Sequence, residues 1–190
     1  GDWSSDVCSS DLLRFSSAPL GTNAFKNLGD KVPVLIRDFF GNDLGNWILG
    51  KDVDGTNATL NLVNRETVLS DMMHSKPLVI NYGILTGTKP ELRIITGSNA
   101  GFLHMFRDAD TSVDESWAFI PYELLPKQRT LRVNADGGAH VYGLDATPVV
   151  YTTDTNGDGI ISSSDGDKVW LFMGQRQGGS NYYAFEDRKS

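Results

Sequence analysis

The chain has 190 residues, of which 39% are hydrophobic and 22% are charged, and its formal net charge at pH 7 is −7. This composition is typical of a globular protein of one or two domains, and the acidic balance argues against a nucleic-acid-binding surface. No apolar run approaches the roughly 20 residues that a membrane helix needs, and the start lacks the pattern of a signal peptide.

Residues 1–12, "GDWSSDVCSSDL", have neither strand nor helix periodicity, and their composition differs from that of the remaining chain. They resemble a translated adapter or cloning scar, so we set them aside as non-native in predicting the fold. This also sets aside Cys8, the only cysteine in the chain. A disulfide scaffold, a thiolate zinc site and a cysteine nucleophile are then excluded, while the cellular compartment stays open.

Residues 13–66 are predicted to form a lead-in region of loops and short helices. Within 31–49, apolar residues recur at helix-like spacings that "GND" at 41–43 interrupts, which predicts two short helices. An acidic cluster lies at 52–57, but no carboxylate stands where it would complete a metal-binding loop. A solvated turn is therefore favoured there over a metal site.

From residue 67 the pattern changes to short runs rich in β-branched and aromatic residues, separated by Gly, Asn and Asp, which predicts strands. A helical-looking segment, "PYELLPKQ" at 121–128, divides these runs into two sets. The predicted strands are 76–83, 92–99, 101–108 and 115–120 in the first set, and 147–153, 168–174 and 179–187 in the second.

The two sets match each other in order. "KPLV" at 76–79 corresponds to "TPVV" at 147–150, and "HMF" at 104–106 corresponds to "YAF" at 183–185. A repeated four-strand unit near this length is typical of β-propeller blades, which bury their apolar faces only against neighbouring blades. The predicted class is mainly β: a partial β-propeller over 67–190, with one complete blade and most of a second, preceded by short helices and loops. We expect it to be a piece of a larger propeller.

The segment Asp154–Asp165, "DTNGDGIISSSD", lies between two predicted strands and has the residue pattern of a calcium-binding loop. A calcium ion takes six to eight oxygen ligands at about 2.3–2.6 Å, and a twelve-residue loop supplies them from positions 1, 3, 5, 7, 9 and 12, with glycine at position 6 for the sharp turn. Gly159 stands at position 6. The predicted ligands are Asp154, Asn156, Asp158, Ile160 through its backbone carbonyl, Ser162 and Asp165.

Position 12 departs from the usual pattern, because Asp165 replaces the longer glutamate that supplies two oxygens. This predicts a looser and weaker site. The alternative is a turn that binds no ion, since Asp, Asn and Gly populate turns for local reasons. The flanking runs predict strands, so the loop is not expected to be the helix-flanked EF-hand.

Five strings in the chain also carry a family resemblance: "LSDMMHSKPLVINYG", "GSNAGFLHMF", "WAFIPYELLP", "GLDATPVVYTTDTNGDG" and "GGSNYYAFED". They resemble, in the same order, the C-terminal propeller of the PilC/PilY-type type IV pilus tip adhesins. The likeness extends over about residues 43–190.

This resemblance implies an exported protein at the pilus tip, outer membrane or cell surface of a Gram-negative bacterium. It implies a role in pilus extension, surface adhesion and twitching motility, with minor pilins as partners and a host or abiotic surface bound through regions outside this chain. It further implies that calcium regulates pilus retraction. The residues that would carry this calcium are Asp154, Asn156, Asp158, Ile160 and Asp165.

Catalytic motifs are not evident in the sequence, so we expect no enzymatic activity and no small-molecule substrate. Ser98 in "GSNAG" is explained by a hairpin turn, and His74, His104 and His140 are expected to be packed or hydrogen-bonded residues. Two alternatives remain: a quinoprotein dehydrogenase, which is also a calcium-containing propeller, and a generic cell-surface binding propeller. The single continuous loop suits a structural or sensing ion better than a cofactor-bridging one.

Overall fold

The computed structural model describes residues 2–4, 12–15, 42–53, 64, 69–86, 89–108, 111–133 and 138–188. In these residues the protein is mainly β, with strands in two antiparallel sheets and a few short helices. The prediction of a mainly β fold is confirmed. No helix in the described ranges is long and apolar enough to cross a bilayer.

The elements fall close to where the residue pattern predicts them. Each strand predicted from residue 76 onward is found, and the predicted 121–128 segment forms a 3₁₀ turn followed by a helix. The strands are β1 Asp2–Ser4, β2 Leu12–Phe15, β3 Leu78–Thr86, β4 Lys89–Gly97, β5 Leu103–Asp108, β6 Val113–Pro121, β7 Val149–Thr153, β8 Lys168–Gly174 and β9 Tyr182–Arg188. The helices are α1 Asn42–Ile48 and α2 Lys127–Val133, with 3₁₀ turns at Tyr122–Leu124, Ser163–Asp165 and Arg176–Gly178.

Helix α1 corresponds to the second of the two helices predicted in 31–49. The first of them, and most of the 52–57 cluster, lie outside the described residues.

The first sheet has the strand order β2-β6-β5-β4-β3, and the second has the order β1-β9-β8-β7. Strands β3 to β6 form the four-strand meander that the first set predicts. Strands β7 to β9 form a three-strand meander in the second sheet. The added strands β1 and β2 pair with the open edges of β9 and β6. Neither was predicted, because edge pairing needs only backbone donors and acceptors and leaves no necessary signature in side-chain periodicity.

The two sheets pack face to face. Phe119 of β6 and Phe185 of β9 meet edge to face with ring centroids 5.0 Å apart, and Trp117 lies 6.5 Å from Phe185. Alternate residues of the neighbouring strands complete a shared core, as period-2 strands require. The buried core residues of the two facing strand sets include Ile80, Ile95, Leu103, Met105, Trp117 and Phe119 in the first sheet, and Val169, Leu171, Met173 and Phe185 in the second.

The segment around Gly143 runs between two turns. One is the turn at 98–101, which follows β4 in the first sheet, and the other is the 3₁₀ turn Arg176–Gly178, which follows β8 in the second. The Gly143 N–H donates to the Asn99 side-chain oxygen at 3.3 Å, and a Cβ at position 143 would clash with the Gly101 backbone. On its other side, a Cβ at Gly178 would overlap the Gly143 carbonyl. This close backbone approach closes one end of the two sheets. The β7–β8 connection, where calcium binding is predicted, lies at the other end.

Candidate metal site

The loop 154–165 leaves the end of a regular hairpin formed by β7 and β8. The pairing runs from Val149 opposite Phe172 to Thr153 opposite Lys168, and the Lys168 N–H donates to the Thr153 hydroxyl at 2.9 Å. The loop is therefore flanked by strands, as predicted. Its first seven residues, 154–160, are exposed to solvent.

Short side chains curl the first half of the loop by accepting backbone hydrogen bonds. The two carboxylate oxygens of Asp154 accept from Gly157 N at 2.7 Å and from Gly159 N at 2.8 Å. Asn156 and Asp158 each accept from the N–H two residues ahead, at 3.1 and 2.8 Å. Both glycines have positive φ, 73° and 78°, which is the left-handed conformation that glycine adopts without steric cost.

Three of the predicted ligand side chains meet at one point. The Asn156 amide nitrogen lies 3.0 Å from Asp158 Oδ2 and 3.3 Å from Asp165 Oδ2. The 3₁₀ turn Ser163–Asp165 returns position 12 toward the loop centre. The Asn156 amide N–H group, which carries a partial positive charge, therefore lies between the two carboxylates. A bound cation at this point would balance their negative charge.

The remaining predicted ligands stand outside this meeting point. Asp154 is turned to backbone N–H groups, the Ser162 hydroxyl lies 2.6 Å from Ser164 Oγ, and the Ile160 side chain is directed at Gly83 of the first sheet. Over the described ranges, no group of three or more His, Cys, Asp or Glu side chains is arranged to hold a metal ion. The donor set of the loop consists of carboxylate, amide, hydroxyl and carbonyl oxygens, which suits a hard cation such as calcium.

Asp167 is a residue of this site that the sequence pattern missed. Its two carboxylate oxygens accept from Thr155 N at 2.7 Å and from Ser162 N at 3.0 Å, so one side chain ties both ends of the loop together. The backbone hydrogen bond from Thr155, followed by that from Ser162, lowers the pKa of Asp167 below its ordinary value. It stands two residues beyond the twelve-residue pattern, and only its position at the start of β8 could have signalled it.

Two of the three histidines join the segments that precede β3 and β7. His74 Nδ1 lies 2.8 Å from Asp145 Oδ2, and Arg176 Nη1 reaches the same oxygen at 3.1 Å. His140 Nε2 lies 3.1 Å from Asp71 Oδ2. These histidines are hydrogen-bonded, as expected. Their acidic partners lie about 70 residues away in sequence and left no local signal.

The third histidine belongs to a serine–histidine–carboxylate chain. Ser98 Oγ lies 3.3 Å from His104 Nε2, and His104 Nδ1 lies 2.5 Å from Glu115 Oε1. This order is that of a hydrolase triad. However, Ser98 is 1% exposed and His104 is 5% exposed, and the Ser98 hydroxyl also lies 3.2 Å from the Phe102 carbonyl in its own turn. A substrate carbonyl has no access to a hydroxyl buried in this way, so the arrangement favours a structural role.

Comparison with known proteins gives one informative similarity. The chain is 36% identical over 106 residues to the type IV pilus biogenesis factor PilY1 of Pseudomonas aeruginosa (strain UCBPP-PA14). The match covers 45% of this chain and 9% of that protein, so the chain spans under a tenth of its relative's length. No family model and no solved structure matches the chain. The similarity supports the resemblance to PilY-type proteins.

Proposed function

We propose that this chain is part of a type IV pilus protein and that it binds calcium through the loop 154–165. The similarity to a type IV pilus biogenesis factor carries the pilus assignment. The protein would be exported and act at the pilus tip or cell surface, in contact with minor pilins. It would support pilus extension, adhesion and twitching motility without enzymatic activity.

The convergence of Asn156, Asp158 and Asp165 supports the calcium assignment. Bound calcium would supply a divalent charge that joins the two halves of the loop. The residues that would hold it are Asp154, Asn156, Asp158, Ile160 through its carbonyl, Ser162 and Asp165. Asp167 prepares this loop by fixing its ends, which reduces the conformational entropy that is lost when the ligands are ordered.

We also propose that the two sheets are adjacent blades of a propeller. Offsets of 71, 77 and 79 residues relate Ile80, Ile95 and Met105 of the first sheet to Tyr151, Phe172 and Ala184 of the second. The three first-sheet residues are buried against the second sheet, whereas Tyr151 and Phe172 are 60% and 45% exposed. Since equivalent positions face the same way in repeated units, the outer face of the second sheet is suited to receive another sheet of the same kind.

Calcium titration of the full-length protein by calorimetry tests the metal site. We expect wild type to bind one calcium per loop, and Asp158→Ala to weaken binding because it removes one of the two converging carboxylates. Asp114→Ala, outside the loop, is the matched control. At a calcium concentration a hundred times Kd, wild type should gain about 2.7 kcal/mol of stability if the ion binds only the folded state. An unchanged melting temperature of the wild type with calcium would overturn the calcium assignment.

The pilus assignment has a separate test in the bacterium. Deletion of the gene should abolish surface pili and twitching, and complementation with wild type should restore both. If complementation with Asp158→Ala restores extension but alters retraction, the ion is regulatory. Normal piliation and twitching in the deletion strain would contradict the pilus assignment without affecting the calcium result.

A further inference from the structure

The proposed calcium loop of the second sheet contacts the first sheet at Gly83. Gly83 lies in β3, and a Cβ built on it would stand 2.5 Å from Cγ2 of Ile160 and 3.3 Å from its Cβ and Cγ1. Gly83 is buried. Ile160 occupies position 7 of the loop, so its side chain rests on the first sheet while its carbonyl is a predicted ligand. The contact therefore joins the proposed ion site to a different sheet.

The backbone of β3 is shaped for this contact. The β3–β4 register shifts between Asn81 and Ile84, which marks a β-bulge or irregularity at Gly83. Gly83 has φ of +92°, and its N–H donates to the Asn81 side-chain oxygen at 2.9 Å. Any side chain at this position would carry both left-handed strain and a clash with Ile160.

Within the loop, Ile160, which contacts Gly83, is hydrogen-bonded to Asp158, one of the predicted ligands. Asp158 Oδ1 accepts from Ile160 N at 2.8 Å, while Asp158 Oδ2 faces the Asn156 amide at 3.0 Å. The next residue, Ile161, packs against the hydrophobic core shared by the sheets. A displacement of Ile160 would therefore move a carboxylate at the meeting point of the ligands.

We propose that Gly83 is a positioning residue for the calcium loop, and that ion binding is coupled to the packing of β3 through Ile160. This inference rests on the proposed function, since it requires calcium in the loop. Coupling between two sites is reciprocal, so a change at Gly83 must alter calcium affinity, and calcium must alter the stability of β3.

The chain offers a closely matched control for the first consequence. Gly101 has φ of +91°, almost the same as Gly83, but a Cβ there would come no closer than 3.3 Å to Leu124. Gly83→Ala and Gly101→Ala therefore carry the same left-handed strain, and only Gly83→Ala pushes on the loop. By calorimetry on the full-length protein, we expect Gly83→Ala to raise the calcium Kd by about fivefold or more. Gly101→Ala should leave it within about twofold of wild type.

Hydrogen exchange of the wild type tests the second consequence without any substitution. We expect calcium to slow amide exchange at 81–86 in β3 while β5, at 103–108, is unchanged. If calcium binds but the two alanine variants have equal affinity, or β3 exchange is unaffected, the coupling is refuted and the calcium site stands. If wild type binds no calcium, the proposed function itself fails.

Discussion

Position 12 of the proposed calcium loop carries an aspartate, Asp165, which is one methylene group shorter than the usual glutamate. The 3₁₀ turn at Ser163–Asp165 brings the short Asp165 side chain to 3.3 Å from the Asn156 amide. The predicted weakness of the site therefore lies in the number of oxygens that aspartate can present, because the side chain does reach the centre of the loop.

Replacing Asp165 with glutamate is expected to tighten calcium binding. The longer arm can present both carboxylate oxygens, as position 12 does in high-affinity loops, and we expect Kd to fall by about tenfold. Calorimetric titration measures this, with Asp114→Glu as the control for adding a methylene outside the loop. An unchanged or weaker affinity in Asp165→Glu would show that position 12 is not a ligand.

At the scale of secondary-structure elements, a glycine can be required for its positive φ or for the lack of space around it. The sequence alone does not show which of the two applies. Gly157 has positive φ with open space around it, whereas Gly143 has an ordinary φ but is wedged between the backbones of two turns. The first tolerates a side chain at the cost of local strain. The second tolerates none unless the two sheets move apart.

This contrast predicts different losses of stability for the same substitution. Gly157→Ala should lower the free energy of unfolding by about 1 kcal/mol, from left-handed strain alone. Gly143→Ala should lower it by about 3 kcal/mol, because the added methyl group overpacks a backbone contact that has no room to relax. Urea unfolding of both variants without calcium measures the difference. Similar losses in the two would show that the segment around Gly143 is not tightly held.

Local pattern predicted the strands β3 to β9 because each carries its own alternation of apolar residues between turn residues. It also predicted a loop between β7 and β8, which the structure has, whereas metal binding by that loop stays a prediction. Contacts between distant segments had no such signal. Glu123, for example, accepts hydrogen bonds from Gln175 at 3.1 Å and also from Asn181 and Tyr183. Burial raises its pKa, but these hydrogen bonds, led by Tyr183, outweigh that and hold it below the ordinary value. Such pairings depend on how the sheets are stacked, which only the folded chain shows.

For the molecule as a whole, the outer face of the second sheet exposes large apolar side chains on two neighbouring strands. On neighbouring strands, Val149 pairs with Phe172 and Tyr151 pairs with Trp170, so these side chains form one continuous apolar face. Val149, Tyr151 and Phe172 are 59%, 60% and 45% exposed. An exposed apolar patch on one sheet face favours association with another surface. In the proposed propeller this surface is the next blade.

The 190-residue chain on its own is therefore expected to self-associate through this face. Sedimentation equilibrium of wild type at tens of micromolar should give an average mass above the 20.8 kDa of the monomer. Phe172→Lys should return the mass to that of the monomer, because a charge at the centre of the face must be desolvated on association. Val113→Lys, at a residue 61% exposed in β6 of the other sheet, should behave as wild type. A monomeric wild type, or equal effects of the two lysines, would mean that the outer face does not act as a packing surface.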